Sequence, residues 1–167
     1  MSAAIALLIL VTLQRASELV IARRNTEALL KLGAIETGAA HYPVMVLLHA
    51  SWLAGLWWFG FSSTLNPWFT SAYLALQVFR VWILATLGKR WTTRILTVHR
   101  ETLVKRGPFK LFRHPNYVLV ALEVPLLPLA LGLPWFALLF GLLNLAMLWW
   151  RIRAENRALG YSENPKE

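Results

Sequence analysis

The sequence predicts an all-α integral membrane protein. It should have five transmembrane helices, the N-terminus out and the C-terminus in, the last two helices forming a short hairpin, and an interfacial cytosolic segment before the fourth. Three observations predict this fold. The 167 residues are 57% hydrophobic yet carry a formal charge of +9, and apolar runs joined by basic connectors are the pattern of a membrane chain. The apolar residues fall into five segments. The charge is one-sided: segments 22–42, 88–115 and 151–167 hold fifteen of the seventeen Lys and Arg, and 62–67 and 131–134 hold none. Five crossings place those two sets on opposite faces, and the positive-inside rule then puts the basic face and the C-terminus in the cytosol, at the inner membrane. The same topology accounts for the basic balance, so no nucleic-acid partner is expected.

The length allows one domain, 1–167. The absence of cysteine excludes a disulfide framework, a thiolate metal site and a thiol nucleophile. The first segment, Ile5–Ile21, reads as a retained helix, because no basic stretch precedes it and no small-residue cleavage site ends it. Pro43–Phe61 and Trp68–Leu87 are long enough, or nearly so, to cross a core about 30 Å thick at about 1.5 Å per residue. Tyr117–Leu131 and Trp135–Trp150 are shorter, and "LGLP" at 131–134 joins them as a tight turn. Such a hairpin spans by local thinning or leaves its turn barely exposed. Trp57, Trp58, Trp68 and Trp135 fall near the outer boundary, and Trp91, Trp149 and Trp150 near the inner one, as an aromatic belt.

Few strongly polar side chains interrupt the segments: Arg15 and Glu18, His49, Gln77 and Arg80, Glu123, and Asn144. Each lies about four to ten residues from its cytosolic end, which places them in one layer on the order of 10 Å inside the inner boundary. Charges at that depth cost several kcal/mol unless paired or hydrated. Arg15 and Glu18 can pair at i,i+3, and Arg80 and Glu123 sit at matching depth on consecutive helices. The layer reads either as helix–helix glue or as a polar cavity open to the cytosolic leaflet; its confinement to one half of the membrane favours the cavity. Pro125 and Pro128 remove helical donors and free the carbonyls of Ala121 and Val124, which other groups must satisfy.

The connector "GKRWTTRILTVHRETLVKRGPFKLFRHP" (88–115) carries eight Lys or Arg and one Glu among apolar residues. It should lie partly in the interface, with its bases on lipid headgroups. "RGPF" is turn chemistry, Pro115 suits the first turn of the fourth helix, and His114 falls near its N-cap. The segment "RIRAENRALG" (151–160) continues the fifth helix, with Arg151 and Glu155 four apart, as in a salt-bridged helix end.

The succession "RGPFKLFRHPNY", apolar hairpin, "RIRAEN" resembles the C-terminal signature of the isoprenylcysteine carboxyl methyltransferase (ICMT) family. In that family an R-H-P-x-Y element, two short helices and an R-I-x-x-E-E element follow one another. The resemblance covers about residues 88–160. The N-terminal stretch "QRASELVIARRN…GAIETGAAHYPVMVLLH" is similar to a bacterial branch that O-methylates alkylpyrone-type lipids. The resemblance implies S-adenosylmethionine as methyl donor, with S-adenosylhomocysteine as product, bound on the cytosolic side. His114, Pro115 and Tyr117 would line its site, Gly107 would lie in the loop before it, and Glu155 would bind its polar atoms. Two residues depart from the pattern: Asn156 stands where a second Glu is usual, and Phe109 where Tyr is common.

Methyl transfer from a sulfonium needs an aligned nucleophile and excluded water, and no metal. The implied acceptor is a lipophilic small molecule or lipid, reached from the membrane and methylated on an oxygen, either a carboxylate or an acidic hydroxyl. On this reading Arg80 holds the acceptor oxyanion and Glu123 orients Arg80 or takes a proton. Arg15, Glu18, His49, Gln77 and Asn144 line the acceptor site. The alternatives are a phospholipid or prenyl-carboxyl methyltransferase, an NADPH-dependent membrane reductase, and a non-catalytic membrane protein. The sequence sets no oligomeric state.

Overall fold

The computed structural model describes residues 2–98 and 104–158. Parts of two segments singled out above, 99–103 of the basic connector and 159–160 of the C-terminal helix end, lie outside the described residues. Five α-helices make the body: α1 (Ala3–Lys31), α2 (Tyr42–Gly60), α3 (Pro67–Leu87), α4 (Pro115–Ala130) and α5 (Pro134–Ala158). Four of them, α1, α2, α3 and α5, are long and apolar enough to cross a membrane, which marks the chain as an integral membrane protein. The fourth helix has 16 residues and is about 24 Å long at the α-helical rise.

The helices run further than the apolar segments do. α1 continues to Lys31 through residues that favour helix, with Arg23 bonded to Glu27 one turn on at 3.0 Å. It stops at Gly33, whose φ of +82° suits glycine. α5 likewise runs on to Ala158. The fold is also not purely helical. Ile35–Thr37 (β1), from the α1–α2 connector, pairs antiparallel with Ile95–Thr97 (β2), from the α3–α4 connector, with Glu36 opposite Leu96. Two three-residue strands in a basic loop carry too short a pattern to read from sequence.

The apolar core occupies one end of the bundle. Leu8 and Val11 of α1, Trp52 and Leu56 of α2, Tyr73 of α3, Leu127 of α4 and Phe140 of α5 meet there. Its turns are tied by local bonds: Ser2 donates to the carbonyl of Phe61, and Asn66 N–H to that of Ala130 at 2.9 Å. Asn66 also caps α3, its Oδ1 accepting from Trp68 and Phe69. Trp58, Trp68 and Trp135, expected at a boundary, are exposed. Pro125 and Pro128 sit inside an unbroken α4, and the Val124 carbonyl that Pro128 frees accepts a buried 3.0 Å bond from Trp52 Nε1. The other half of the bundle holds the polar groups.

Candidate active site

A roof closes the polar half. It consists of residues 88–98, held by Asn25, by β1 and by Tyr42. Asn25, on the extension of α1, donates to the carbonyls of Gly88 (3.2 Å) and Trp91 (2.8 Å). β1 pairs with β2. Arg94 donates to Glu36 at 2.8 Å and lies over the ring of Tyr42; its hydrogen bond to Glu36 holds this guanidinium above the ordinary arginine range. Tyr42 Oη meets Thr93 Oγ1 at 3.2 Å. Trp91, expected in an aromatic belt, is instead a buried member of this roof.

Two cavities lie beneath. The first, about 270 Å³, is lined by roof residues together with Phe109, His114, Pro115, Asn116, Tyr117, Arg151 and Glu155. It mixes charges of both signs. Glu155 accepts a short bond from Tyr117 Oη, and its Oε1 lies 3.6 Å from His114 Nδ1. His114 Nε2 meets Asn156 Oδ1 at 3.1 Å, and the His114 ring stacks on that of Tyr117. Asn156, one of the two residues that depart from the ICMT pattern, thus contacts the histidine of the R-H-P-x-Y element. α4 begins where expected, with His114 at the N-cap and Pro115 in the first turn.

The second cavity, about 310 Å³, is mostly apolar, walled by Leu19, Met45, Val46, Leu53, Val120, Met147 and Leu148. Arg15, Glu18, His49, Arg80, Asn144 and Arg151 add polar groups to its wall. Trp91, Thr92, Asn116, Tyr117 and Arg151 line both cavities, so the two meet at that point.

A closed ionic lattice forms the floor beside the second cavity. Glu123 accepts from Arg15 at 3.0 Å, from Gln77 at 2.8 Å and from two donors of Arg80. Glu18 accepts from Arg15 at 3.1 Å, Arg80 at 2.9 Å and Gln14 at 3.0 Å. Both expected pairs, Arg15–Glu18 and Arg80–Glu123, are present, and they share partners. Gln14, which also donates to Gln77 at 2.8 Å, is a member the sequence reading missed. It stands one turn from Glu18 and carries the same signal as its neighbours. Every donor of Arg80 that the lattice uses points to Glu18 or Glu123, and neither Glu123 nor Gln77 lines the cavity.

Arg151 was also missed. A salt bridge to Glu155 was expected; Glu155 turns to Tyr117 and His114, while Arg151 donates to the Thr93 carbonyl (3.0 Å) and to Met45 Sδ (2.9 Å). It is buried, and among the described residues no carboxylate pairs with it. An i,i+4 spacing permits a pair but does not compel one. Gly107 lies outside both cavity walls. Its φ is +57°, and a Cβ there would stand 2.7 Å from Thr86 Oγ1, so the close approach of the loop to α3 accounts for the glycine.

The sequence pattern of the Isoprenylcysteine carboxyl methyltransferase (ICMT) family matches residues 69–161. The chain is similar to the Uncharacterized protein YpbQ of Bacillus subtilis (strain 168), 37% identical over 166 residues, covering 92% of this chain and 94% of that protein. No solved structure matches at a significant level.

Proposed function

The chain belongs to the isoprenylcysteine carboxyl methyltransferase family, and from that premise we propose that it is a membrane-embedded, S-adenosylmethionine-dependent O-methyltransferase acting on a lipophilic acceptor. One observation carries the reading: a cavity of mixed charge and an apolar cavity meet at Asn116, Tyr117 and Arg151. A water-soluble donor and a membrane-soluble acceptor need two such chambers with a shared wall.

The residues of the first cavity fit the donor. Its amino-acid end carries a carboxylate and an ammonium, its ribose a diol and its base an aromatic ring; the cavity offers guanidiniums, Glu155, and the rings of Tyr117, His114 and Trp91. When bound, S-adenosylmethionine supplies an electrophilic methyl group on sulfur. Tyr117 and His114 hold Glu155 in place, and Asn156 holds His114. Arg151 is buried, pairs with no carboxylate among the described residues and belongs to both cavities, so it is the group that steadies negative charge on an acceptor oxygen, whether carboxylate or acidic hydroxyl. Arg80 and Glu123 act as a positioning pair: their bonds to each other, to Arg15 and to Glu18 fix the floor against which the acceptor lies. The apolar walls exclude water from the displacement.

The roof and both cavities face the cytosol of the inner membrane in this reading, because the basic segments cluster at that end. The test is calorimetric titration of the purified protein with S-adenosylhomocysteine. Binding that is lost in Glu155→Ala supports the reading; no heat from the wild-type protein overturns it.

A further inference from the structure

The apolar cavity contains an imidazole whose tautomer the backbone fixes. His49 Nδ1 lies 2.8 Å from the carbonyl oxygen of Met45, one helical turn earlier. A carbonyl only accepts, so Nδ1 carries the proton, and in the neutral ring Nε2 is a bare lone pair. Among the described residues nothing hydrogen-bonds to Nε2. The ring is half-buried in the wall of the second cavity. Met45 also receives Arg151 through its sulfur at 2.9 Å, so one residue braces both a proton acceptor and a cation.

The other basic groups near the cavities are already engaged. Glu123 accepts four bonds and Glu18 three. Glu155 accepts from Tyr117, and both ring nitrogens of His114 face partners. A second polar atom is held in reserve in the same wall. Asn144 is fully buried, its Nδ2 donates to the Val120 carbonyl at 3.3 Å, and its Oδ1 has no partner among the described residues. An unpaired buried carbonyl oxygen is costly, and a polar hydrogen on a bound ligand would offset that cost.

Resting on the methyltransferase reading above, we infer that His49 Nε2 is the general base of this site and that the acceptor arrives as a neutral hydroxyl on an apolar body. The step balances. The acceptor O–H bond breaks and its proton passes to Nε2. The oxygen lone pair forms the new C–O bond as the methyl–sulfur bond breaks, and that electron pair stays on sulfur as a neutral thioether. Arg151 steadies the oxygen while it carries negative charge. A carboxylate acceptor, already ionised, would leave His49 without a task.

The test uses the full-length protein in nanodiscs, labelled with ¹⁵N-histidine, and two probes: 4-dodecylphenol and its methyl ether 4-dodecylanisole. The chain has four histidines, and His49→Gln assigns the ring signals. The expected result is an Nδ1–H tautomer at His49, an Nε2 resonance that moves on adding the phenol, and no such movement with the ether. With radiolabelled S-adenosylmethionine, His49→Gln should slow methylation of the phenol about a hundredfold, while S-adenosylhomocysteine titration of the same variant matches wild type. An Nε2–H tautomer, equal responses to phenol and ether, or undiminished phenol methylation in His49→Gln would overturn the inference. Failure of wild-type protein to bind S-adenosylhomocysteine would instead sink the methyltransferase reading, while the tautomer measurement still judges His49.

Discussion

Arg80 grips Glu123 with two donors, Nε to Oε1 at 3.0 Å and Nη2 to Oε2, and the two residues are only 3% and 1% exposed. Without Arg80, Arg15 alone would face both Glu18 and Glu123, leaving the lattice one buried negative charge in excess. Arg80→Ala should therefore destabilise the fold by about 3–5 kcal/mol, whereas the double replacement Arg80→Met/Glu123→Leu should recover most of that loss. Unfolding in detergent, followed by tryptophan fluorescence, measures both. An Arg80→Ala protein as stable as wild type would deny the lattice its structural role.

The bond from Trp52 to the Val124 carbonyl replaces the one that Pro128 cannot make. Trp52→Phe should cost about 1–3 kcal/mol by orphaning that buried carbonyl. Pro128→Ala supplies a helical N–H to the same oxygen, so the loss from Trp52→Phe should be smaller in that background. Equal losses in the two backgrounds would show that the carbonyl is not the site of the effect.

Gly107 combines a positive φ with close approach to Thr86. Gly107→Ala should destabilise by about 1–2 kcal/mol from backbone strain alone, with a further loss from the clash. Adding Thr86→Ala should relieve the second part only. Because Gly107 stands outside both cavity walls, the folded variant should bind S-adenosylhomocysteine as wild type does, which calorimetry checks.

Tyr117 and Asn156 support the donor cavity through different bonds. Tyr117→Phe removes a hydroxyl bonded to the Glu155 carboxylate; hydrogen bonds to charged groups are worth about 1.5–3 kcal/mol, so S-adenosylhomocysteine affinity should fall about ten- to a hundredfold. Asn156→Ala removes a bond at 3.1 Å to the His114 ring and none to the Glu155 carboxylate itself, and should cost about tenfold or less. The reverse ranking would show that Asn156, and not Glu155, organises the cavity.

The helices and the polar layer were legible because both rest on strong local signals: long apolar runs, and charged residues that lipid would not tolerate alone. The pairs Arg15–Glu18 and Arg80–Glu123 follow from depth and helix spacing. Their merging into one lattice does not, because depth fixes a height in the bundle and not a direction around each helix. Arg151 shows the same limit. Its spacing to Glu155 suggested a pair, yet Thr93 and Met45, contributed by a loop and another helix, took the guanidinium. The extension of α1 past Ile21 was hidden because charged residues end an apolar run without ending a helix. The β1–β2 pairing was hidden because three residues carry no usable period.

The lattice has a consequence for how the protein reaches its membrane. Its arginines arrive with α1 and α3 and its glutamates with α1 and α4. During synthesis, a chain that has emitted only its first three helices holds two cations against one anion in hydrocarbon. The deficit ends when α4 delivers Glu123, so insertion of the late helix and compaction of the early ones become a single event.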